Sequence, residues 1–395
     1  MLENIMTMDK QYYMNTFGTR TPVCFDRGEG VWLYDTEGGK YLDFFAGIAV
    51  TALGHAHPAL VGAINAQAAK LIHTSNLYYT EPQTMLAKML CEVSCADKVF
   101  FGNSGAEANE GALKLARIYF YKKGMPNKTD VITLKHSFHG RTLATVAATG
   151  QPKYQKPYEP LMPGFSHVEL GDLDALKAAI TPNTAAIMLE AIQGESGVHP
   201  CGQAYMAAVR KLCDDNDILL IIDEVQTGIG RTGTMFGYQQ YGIEPDIFTV
   251  AKALGGGVPI GAVCAKEAVC AFEPGDHGST FGGNPLAAAS GLAVLQTIQA
   301  ENLVQNAADM GAYFADSLEK LKSKYSCIKE IRAVGLMVGV EFGEGLGAAV
   351  KQALFEAKVL TGLVGDTLRI LPPLVITKAD IDMFVDVLEG IVKTL

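Results

Sequence analysis

Ile218-Leu219-Leu220-Ile221-Ile222-Asp223-Glu224-Val225-Gln226 is an apolar run that ends in two acids. Ile247-Phe248-Thr249-Val250-Ala251-Lys252-Ala253-Leu254-Gly255-Gly256-Gly257 is a shorter run that delivers a lysine and three glycines. Short, solidly apolar runs without polar alternation are the pattern of strands buried on both faces, as in a parallel sheet covered by helices. Each run hands over to an ionisable side chain. In open α/β sheets ligands sit at the carboxyl ends of the strands, so Asp223 and Lys252 mark a site. A lysine there can form a Schiff base with a carbonyl, pair with a phosphate, or be a solvated strand end. Glycines 255–257 remove side chains beside it and let a bulky group approach the backbone. A Schiff-base lysine with an acidic partner for a ring nitrogen is the arrangement that pyridoxal phosphate requires.

Working outward from 218–257, the same alternation continues in both directions. Residues 99–101, 131–134, 185–189 and 260–264 read as further strands, with helical periodicity between them at 107–121 and 203–214. This predicts an α/β fold with a mostly parallel central sheet flanked by helices. After Phe281 the character changes to long helices at 285–299 and 308–324. Strands at 328–334, 337–342 and 368–371 and helices at 348–357 and 379–395 follow, a smaller α+β domain. Residues 1–30 read as irregular, and 31–33 and 40–43 flank a turn as a hairpin. The expected division is an N-terminal segment 1–58 joining the small domain, a large cofactor-binding domain 59–279, and a small domain 280–395.

The chain of 395 residues is 49% hydrophobic and 19% charged, a globular composition. A net charge of −10 argues against nucleic acid as a partner. No apolar stretch approaches the roughly 18 residues of a membrane span. Residues 1–10 contain two acids and no apolar core, so a signal peptide is not expected. The eight cysteines are scattered without a Cys-x-x-Cys, and His55 and His57 lack a third ligand. Buried thiols, no metal site and a cytoplasmic setting are the expectation.

Several loops at the predicted strand ends carry chemistry. Phe101-Gly102-Asn103-Ser104-Gly105-Ala106-Glu107 is a strand end, a glycine turn and a helix start. Ser104, Gly105 and Ala106 there form a phosphate cup or an ordinary capped helix. In Ser137-Phe138-His139-Gly140-Arg141 the phenylalanine can stack on a flat ring and the arginine can fork onto a carboxylate. Glu190 and Glu195 offer carboxylates at the same edge. His277-Gly278-Ser279-Thr280-Phe281 offers hydroxyls to a phosphate or is a hinge. Gly228-Ile229-Gly230-Arg231-Thr232-Gly233 matches G-x-G-x-x-G, the fingerprint of a nicotinamide dehydrogenase. It lies mid-chain, follows two acids and opens no clear helix, all of which count against that alternative.

Taken in order, these runs resemble the class III (ω-amino acid) aminotransferases of pyridoxal phosphate fold type I. The likeness extends from Gly28 to Pro372. It is carried by Leu53-Gly54-His55-Ala56-His57-Pro58, Asn103-Ser104-Gly105-Ala106-Glu107-Ala108-Asn109, Phe138-His139-Gly140-Arg141, Gln193-Gly194-Glu195, Asp223-Glu224-Val225-Gln226-Thr227-Gly228, Ala251-Lys252-Ala253 and Gly278-Ser279-Thr280-Phe281-Gly282-Gly283-Asn284-Pro285. The resemblance implies a homodimeric enzyme of amino-acid (arginine) biosynthesis with active sites at the subunit interface. Its substrates would be 2-oxoglutarate and N-acetylornithine, or alternatively another ω-amine used within the family, namely succinylornithine, succinyl-diaminopimelate, ornithine or 4-aminobutyrate. Lys252 would be the Schiff-base lysine and proton shuttle, with Asp223 on the pyridine nitrogen. Val225 would lie under the ring, Phe138 over it, and Gln226 near the ring hydroxyl, with Glu224 counted in the same cofactor set. Ser104, Gly105 and Ala106 would hold the phosphate, helped by Thr280 from the partner subunit. Arg141 and Ser279 would hold the amine substrate's carboxylate. Glu195 would pair with Arg369 and release it to 2-oxoglutarate. Two departures, Ser196 for a common glycine and Phe281 for a frequent tyrosine, bear on substrate choice.

Overall fold

A computed structural model describes all residues from Met1 to Leu395. Its centre is a seven-stranded sheet. The spatial order is Lys98–Gly102, Gly261–Ala265, Ile247–Val250, Leu219–Asp223, Thr184–Glu190, Asp130–Leu134 and Phe165–Val168. The last five pair in parallel. Gly261–Ala265 is antiparallel to both of its neighbours. Lys98–Gly102 therefore points the same way as the other five, and its carboxyl end joins theirs at one edge.

Every residue of Thr184–Glu190 and Leu219–Asp223 is buried. Alternate residues enter different cores. Leu220 and Ile222 join the larger apolar cluster, and Leu219 and Ile221 join a second cluster with Val131, Met188 and Ile247. That is the period-2 division of a strand with helices on both faces. Each Leu or Ile so buried contributes about 1.5–3 kcal/mol, which is why these runs hold the sheet.

Two smaller sheets flank this one. Phe25–Glu29, Trp32–Asp35 and Lys40–Asp43 form an antiparallel meander, to which Val359–Leu360 adds in parallel. Ile328–Val334, Met337–Phe342, Thr367–Ile370 and Gly362–Val364 form the other, wholly antiparallel. Long helices Pro285–Ala300, Leu303–Lys324 and Lys378–Val392 accompany them. No helix is long and apolar enough to cross a membrane.

Two expectations are corrected. Residues 1–30 contain a helix, Leu2–Tyr12, and a strand, Phe25–Glu29. The helix places Leu2, Ile5 and Met6 on one face but buries no residue, and the strand reads Phe-Asp-Arg-Gly-Glu without the alternation that marks a strand. Phe165–Val168 is a seventh strand. It pairs on one side only, and its Phe-Ser-His-Val lacks a solid apolar run.

Candidate active site

The carboxyl edge of the large sheet opens into a cavity of about 390 Å³. At one end is the start of helix Gly105–Lys122. Ser104 accepts from the Glu107 N–H at 3.1 Å, and the Glu107 carboxylate reaches back to the Asn103 N–H at 2.8 Å. This capping fixes the entry of the chain. Gly105 and Ala106, whose N–H groups have no intrahelical partner by position, line the cavity. A Cβ on Gly105 would lie 2.8 Å from Val225 Cγ1, so glycine is what lets Val225 pack against this turn.

Asp223 stands at the far side, 4% exposed. Its Oδ2 accepts from Asn109 Nδ2 at 2.8 Å and lies 2.9 Å from His139 Nδ1; its Oδ1 accepts from the Val225 N–H at 3.0 Å. Asn109 is itself oriented by Thr249 Oγ1, which donates to its Oδ1 at 2.7 Å. Asn109, His139 and the Val225 N–H thus converge on this one carboxylate and fix its orientation. Asn109 and His139 line the cavity yet escaped the sequence reading. They lie 114 and 84 residues from Asp223, and no local pattern announces the contact.

Lys252 follows strand Ile247–Val250 and takes a left-handed backbone, φ 46°. Such a conformation costs a non-glycine residue on the order of 1–3 kcal/mol and collects at functional sites. Withdrawal from water pushes the pKa of Lys252 down, against the pull of Glu195 and Asp223. A lysine so placed holds more neutral amine at a given pH, the form that attacks a carbonyl. The three glycines after it divide in function. Added Cβ atoms would meet Ile260 at Gly255 and Leu60 and Val294 at Gly256, so these two serve packing; Gly257 alone opens onto the cavity.

Glu190 is the register partner of Asp223, and its Oε2 is buried in the cavity wall with no partner. Burial, then Asp223 and Glu195, push its pKa well above the usual carboxylate range. Glu195 differs. Burial is the largest single influence and would raise it, but Arg369, Lys252 and Gln226 together outweigh burial and hold it below its ordinary value. The pair is a fork: Arg369 Nη2 to Glu195 Oε1 at 2.7 Å and Nη1 to Oε2 at 3.0 Å. Gln226 closes the set, donating to Glu195 at 3.0 Å and accepting from Arg369 at 3.1 Å. Arg141, by contrast, is exposed and forms no ion pair. Its guanidinium lies 4.0 Å from the centre of the Tyr154 ring and 5.4 Å from that of Phe138.

The segment that leads to Val50 has unusual backbone. Ala46, Gly47, Ile48 and Ala49 run consecutively at φ 49°, 62°, 69° and 61°, a turn of left-handed helix. Asp43 Oδ1 accepts from the N–H groups of Phe45 and Ala46, both at 2.9 Å, and His55 Nε2 lies 2.8 Å from Asp43 Oδ2. The turn carries Val50 to the cavity lining.

Ser104, Gly105, Ala106, Phe138, Arg141, Glu195, Asp223, Val225, Gln226 and Lys252 thus meet in one cavity. Four expected residues stand outside it. Arg369 reaches it only through Glu195 and Gln226. Ser279 accepts from Asn103 Nδ2 at 3.3 Å and from the Gly282 N–H at 2.9 Å, and Thr280 is exposed beside it. Glu224 is a correction. Next to Asp223 in an extended chain, it points the other way, where it accepts from Thr227 Oγ1 and the N–H groups of Gly237 and Tyr238 at 2.5–2.8 Å. Burial pushes its pKa up to about 7. The G-x-G-x-x-G stretch is also internal. Gly230 fits against Leu374 and Gly233 against Ala308, and the next element is the short turn Gly237–Tyr241, not a nucleotide-binding helix.

The cavity fits pyridoxal phosphate. Free N–H groups at a helix start suit a phosphate and an anchored buried carboxylate suits a ring nitrogen. Lys252 suits an aldehyde, and the Val225 and Phe138 side chains supply apolar walls for the ring. The fold and this donor set define a pyridoxal-phosphate enzyme of fold type I. The family described as aminotransferase class-III matches residues 13–392, and the chain belongs to this pyridoxal-phosphate-dependent family.

Individual relatives agree. The acetylornithine aminotransferase of Caldanaerobacter subterraneus subsp. tengcongensis is 50% identical over 392 residues, 99% of this chain and 100% of that one. That of Methanocaldococcus jannaschii is 51% identical over 391 residues, 98% of each. Among solved structures, the ornithine aminotransferase of Toxoplasma gondii superposes with a TM-score of 0.95 at 33% identity, covering 100% of this chain and 96% of that one. The acetylornithine aminotransferase of Elizabethkingia anophelis gives 0.89 at 32%, covering 100% and 99%. A further Toxoplasma ornithine aminotransferase structure is described with pyridoxal phosphate at its active site.

Proposed function

We propose that this enzyme moves the ω-amino group of N2-acetyl-L-ornithine to 2-oxoglutarate, giving N-acetyl-L-glutamate 5-semialdehyde and L-glutamate. The observation that carries the reading is a pair of arginines in opposite states, Arg141 free and Arg369 locked by Glu195. An acylated ornithine has one carboxylate, far from the reacting amine. Arg141 takes it, and the Glu195–Arg369 pair stays closed beside the uncharged reacting carbon. 2-Oxoglutarate brings a second carboxylate next to its keto carbon. It displaces Glu195 from Arg369 while Arg141 holds the other end. About 50% identity with acetylornithine aminotransferases over nearly the whole chain supports this amine over ornithine or 4-aminobutyrate.

Pyridoxal phosphate, when bound, supplies the aldehyde that takes the amine and an electron-poor ring that accepts the electron pair left on the substrate carbon. The N–H groups of Gly105 and Ala106 would hold its phosphate, and Val225 and Phe138 would confine its ring. Asp223, fixed by Asn109 and His139, would partner the ring nitrogen. Lys252 Nζ would hold the aldehyde and, as a free amine, would be the local base that moves the proton of the substrate carbon. A homodimer in the cytoplasm completes the reading. The exposed Leu77, Tyr78, Tyr79 and Phe281 give an apolar surface next to Thr280 for a second copy to cover, with Thr280 serving that copy's phosphate.

The test is the visible absorbance of the purified protein, titrated with N-acetylornithine, ornithine and 4-aminobutyrate without keto acid. The cofactor band should collapse at much lower concentration with N-acetylornithine. A lower midpoint with another amine would overturn the substrate. A Lys252→Ala protein that still turns over would overturn the mechanism.

A further inference from the structure

One buried cation beside the cavity touches neither substrate nor cofactor pocket. Arg231, in the glycine-rich turn after Asp223, is 1% exposed and meets no carboxylate. Its Nη1 donates to the Leu336 carbonyl at 3.0 Å and to the Pro372 carbonyl. Its own carbonyl accepts from the Leu336 N–H at 3.0 Å. Nε and Nη2 have no partner.

The two acceptors belong to neighbouring strands. Met337–Phe342 pairs antiparallel with Thr367–Ile370, with Val338 opposite Ile370 and Gly339 opposite Arg369. Continuing that register sets Leu336 opposite Pro372. Proline has no N–H, so the ladder stops there. Arg231 closes it instead, three residues from Arg369. The other end of the same turn is Gln226, which touches both Glu195 and Arg369. Between them, Gly228 and Gly230 sit so close to the Glu224 carbonyl and Leu374 that a Cβ would come within 2.8–3.0 Å of each.

We infer that Arg231 is a positioning residue for the keto-acid half-reaction: it clasps the Leu336 and Pro372 strand ends and so sets where the Arg369 fork stands relative to Glu195 and Gln226. The inference rests on the reading of Arg369 as the arginine of the dicarboxylate. Stability and positioning are told apart by where the loss falls. Removing the guanidinium leaves the buried Leu336 and Pro372 carbonyls without their donor, which costs stability in either case, whereas a positioning role falls on one half-reaction. The fixed, planar fork of a guanidinium can hold two carbonyls at once, which an alkyl chain cannot.

Arg231→Met, Arg231→Lys and Arg369→Gln holoenzymes are compared with the parent. The two half-reactions are followed separately by cofactor absorbance, glutarate binding by calorimetry, and Tm by scanning. For Arg231→Met the rate with 2-oxoglutarate and the affinity for glutarate should fall on the order of 10- to 100-fold, as expected for a fork misplaced by a fraction of an ångström. The N-acetylornithine half-reaction should stay within about twofold, while Tm falls because two buried carbonyls lose their donor. Arg231→Lys should fall between parent and Met, and it decides by the same split if the Met protein does not fold. Equal losses in both half-reactions would overturn the inference in favour of a purely structural role. So would unchanged kinetics in Arg231→Met while Arg369→Gln loses 2-oxoglutarate. If Arg369→Gln itself leaves both half-reactions intact, the reading of Arg369 fails and this inference with it.

Discussion

At one side of the cavity Asp223 accepts hydrogen bonds from three directions, with side-chain exposures of 4% for it and 0% for His139. At the other side Glu195 is held by Arg369 and Gln226, and its side chain is 25% exposed. The first carboxylate has fixed donors from three separate elements and no rival for them. The second faces a guanidinium that another carboxylate can claim. Fixed charge suits a cofactor that stays the same through the cycle. Exchangeable charge suits a site that must take an acid with one carboxylate and then an acid with two. The difference lies in the partners, since both groups are carboxylates lining the same cavity.

The largest effect should come from breaking the fixed side. Asp223→Asn should slow both half-reactions together by at least about 100-fold, because neither substrate can replace that charge. Rapid-mixing absorbance with each substrate alone checks it, and unequal losses would blur the two sides. Glu195→Gln should separate the half-reactions. With Arg369 no longer neutralised, the ratio of rates with glutamate and with N-acetylornithine should move toward glutamate by about tenfold, the usual scale of a coupling between sites. An unchanged ratio would refute the exchange.

The smallest effect concerns Glu224, which lies on neither side. Its folded-state pKa is about 7 against an ordinary 4.5, so between these values the folded protein binds more protons than the unfolded one. Its contribution to stability therefore declines as pH rises through that window, by at most roughly 3 kcal/mol. Glu224→Gln should remove this slope, and its Tm relative to the parent should climb from pH 4.5 to 7. Parallel curves would rule it out.

Much of this was legible. Solid runs such as Leu219–Asp223 mark themselves as central strands because both faces are covered, and strand ends in an α/β sheet converge by topology. What was not legible depended on direction or distance. Asp223 and Glu224 look alike on paper, yet successive residues of an extended chain face opposite ways. The period alone separates them once one is known to face the ligand. Asn109 and His139 belong to the Asp223 network through contacts made only when helix Gly105–Lys122 and the loop after strand Asp130–Leu134 fold onto the edge. The glycines at 255 and 256 speak of Ile260, Leu60 and Val294 rather than of a ligand, since absence of a side chain does not say what fills the space.

The turn from Ala46 to Ala49 has a consequence for chirality. Its backbone is the one that D-amino acids adopt at rest, and L-residues hold it at a cost of roughly 1–2 kcal/mol apiece. Only Gly47 is indifferent to hand. In a protein assembled by chemical ligation, D-alanine at 46 or 49 would sit in its relaxed conformation. This turn, which leads into the cavity at Val50, is in effect a fragment of mirror-image peptide, kept in place in an L-protein by Asp43 and the imidazole behind it.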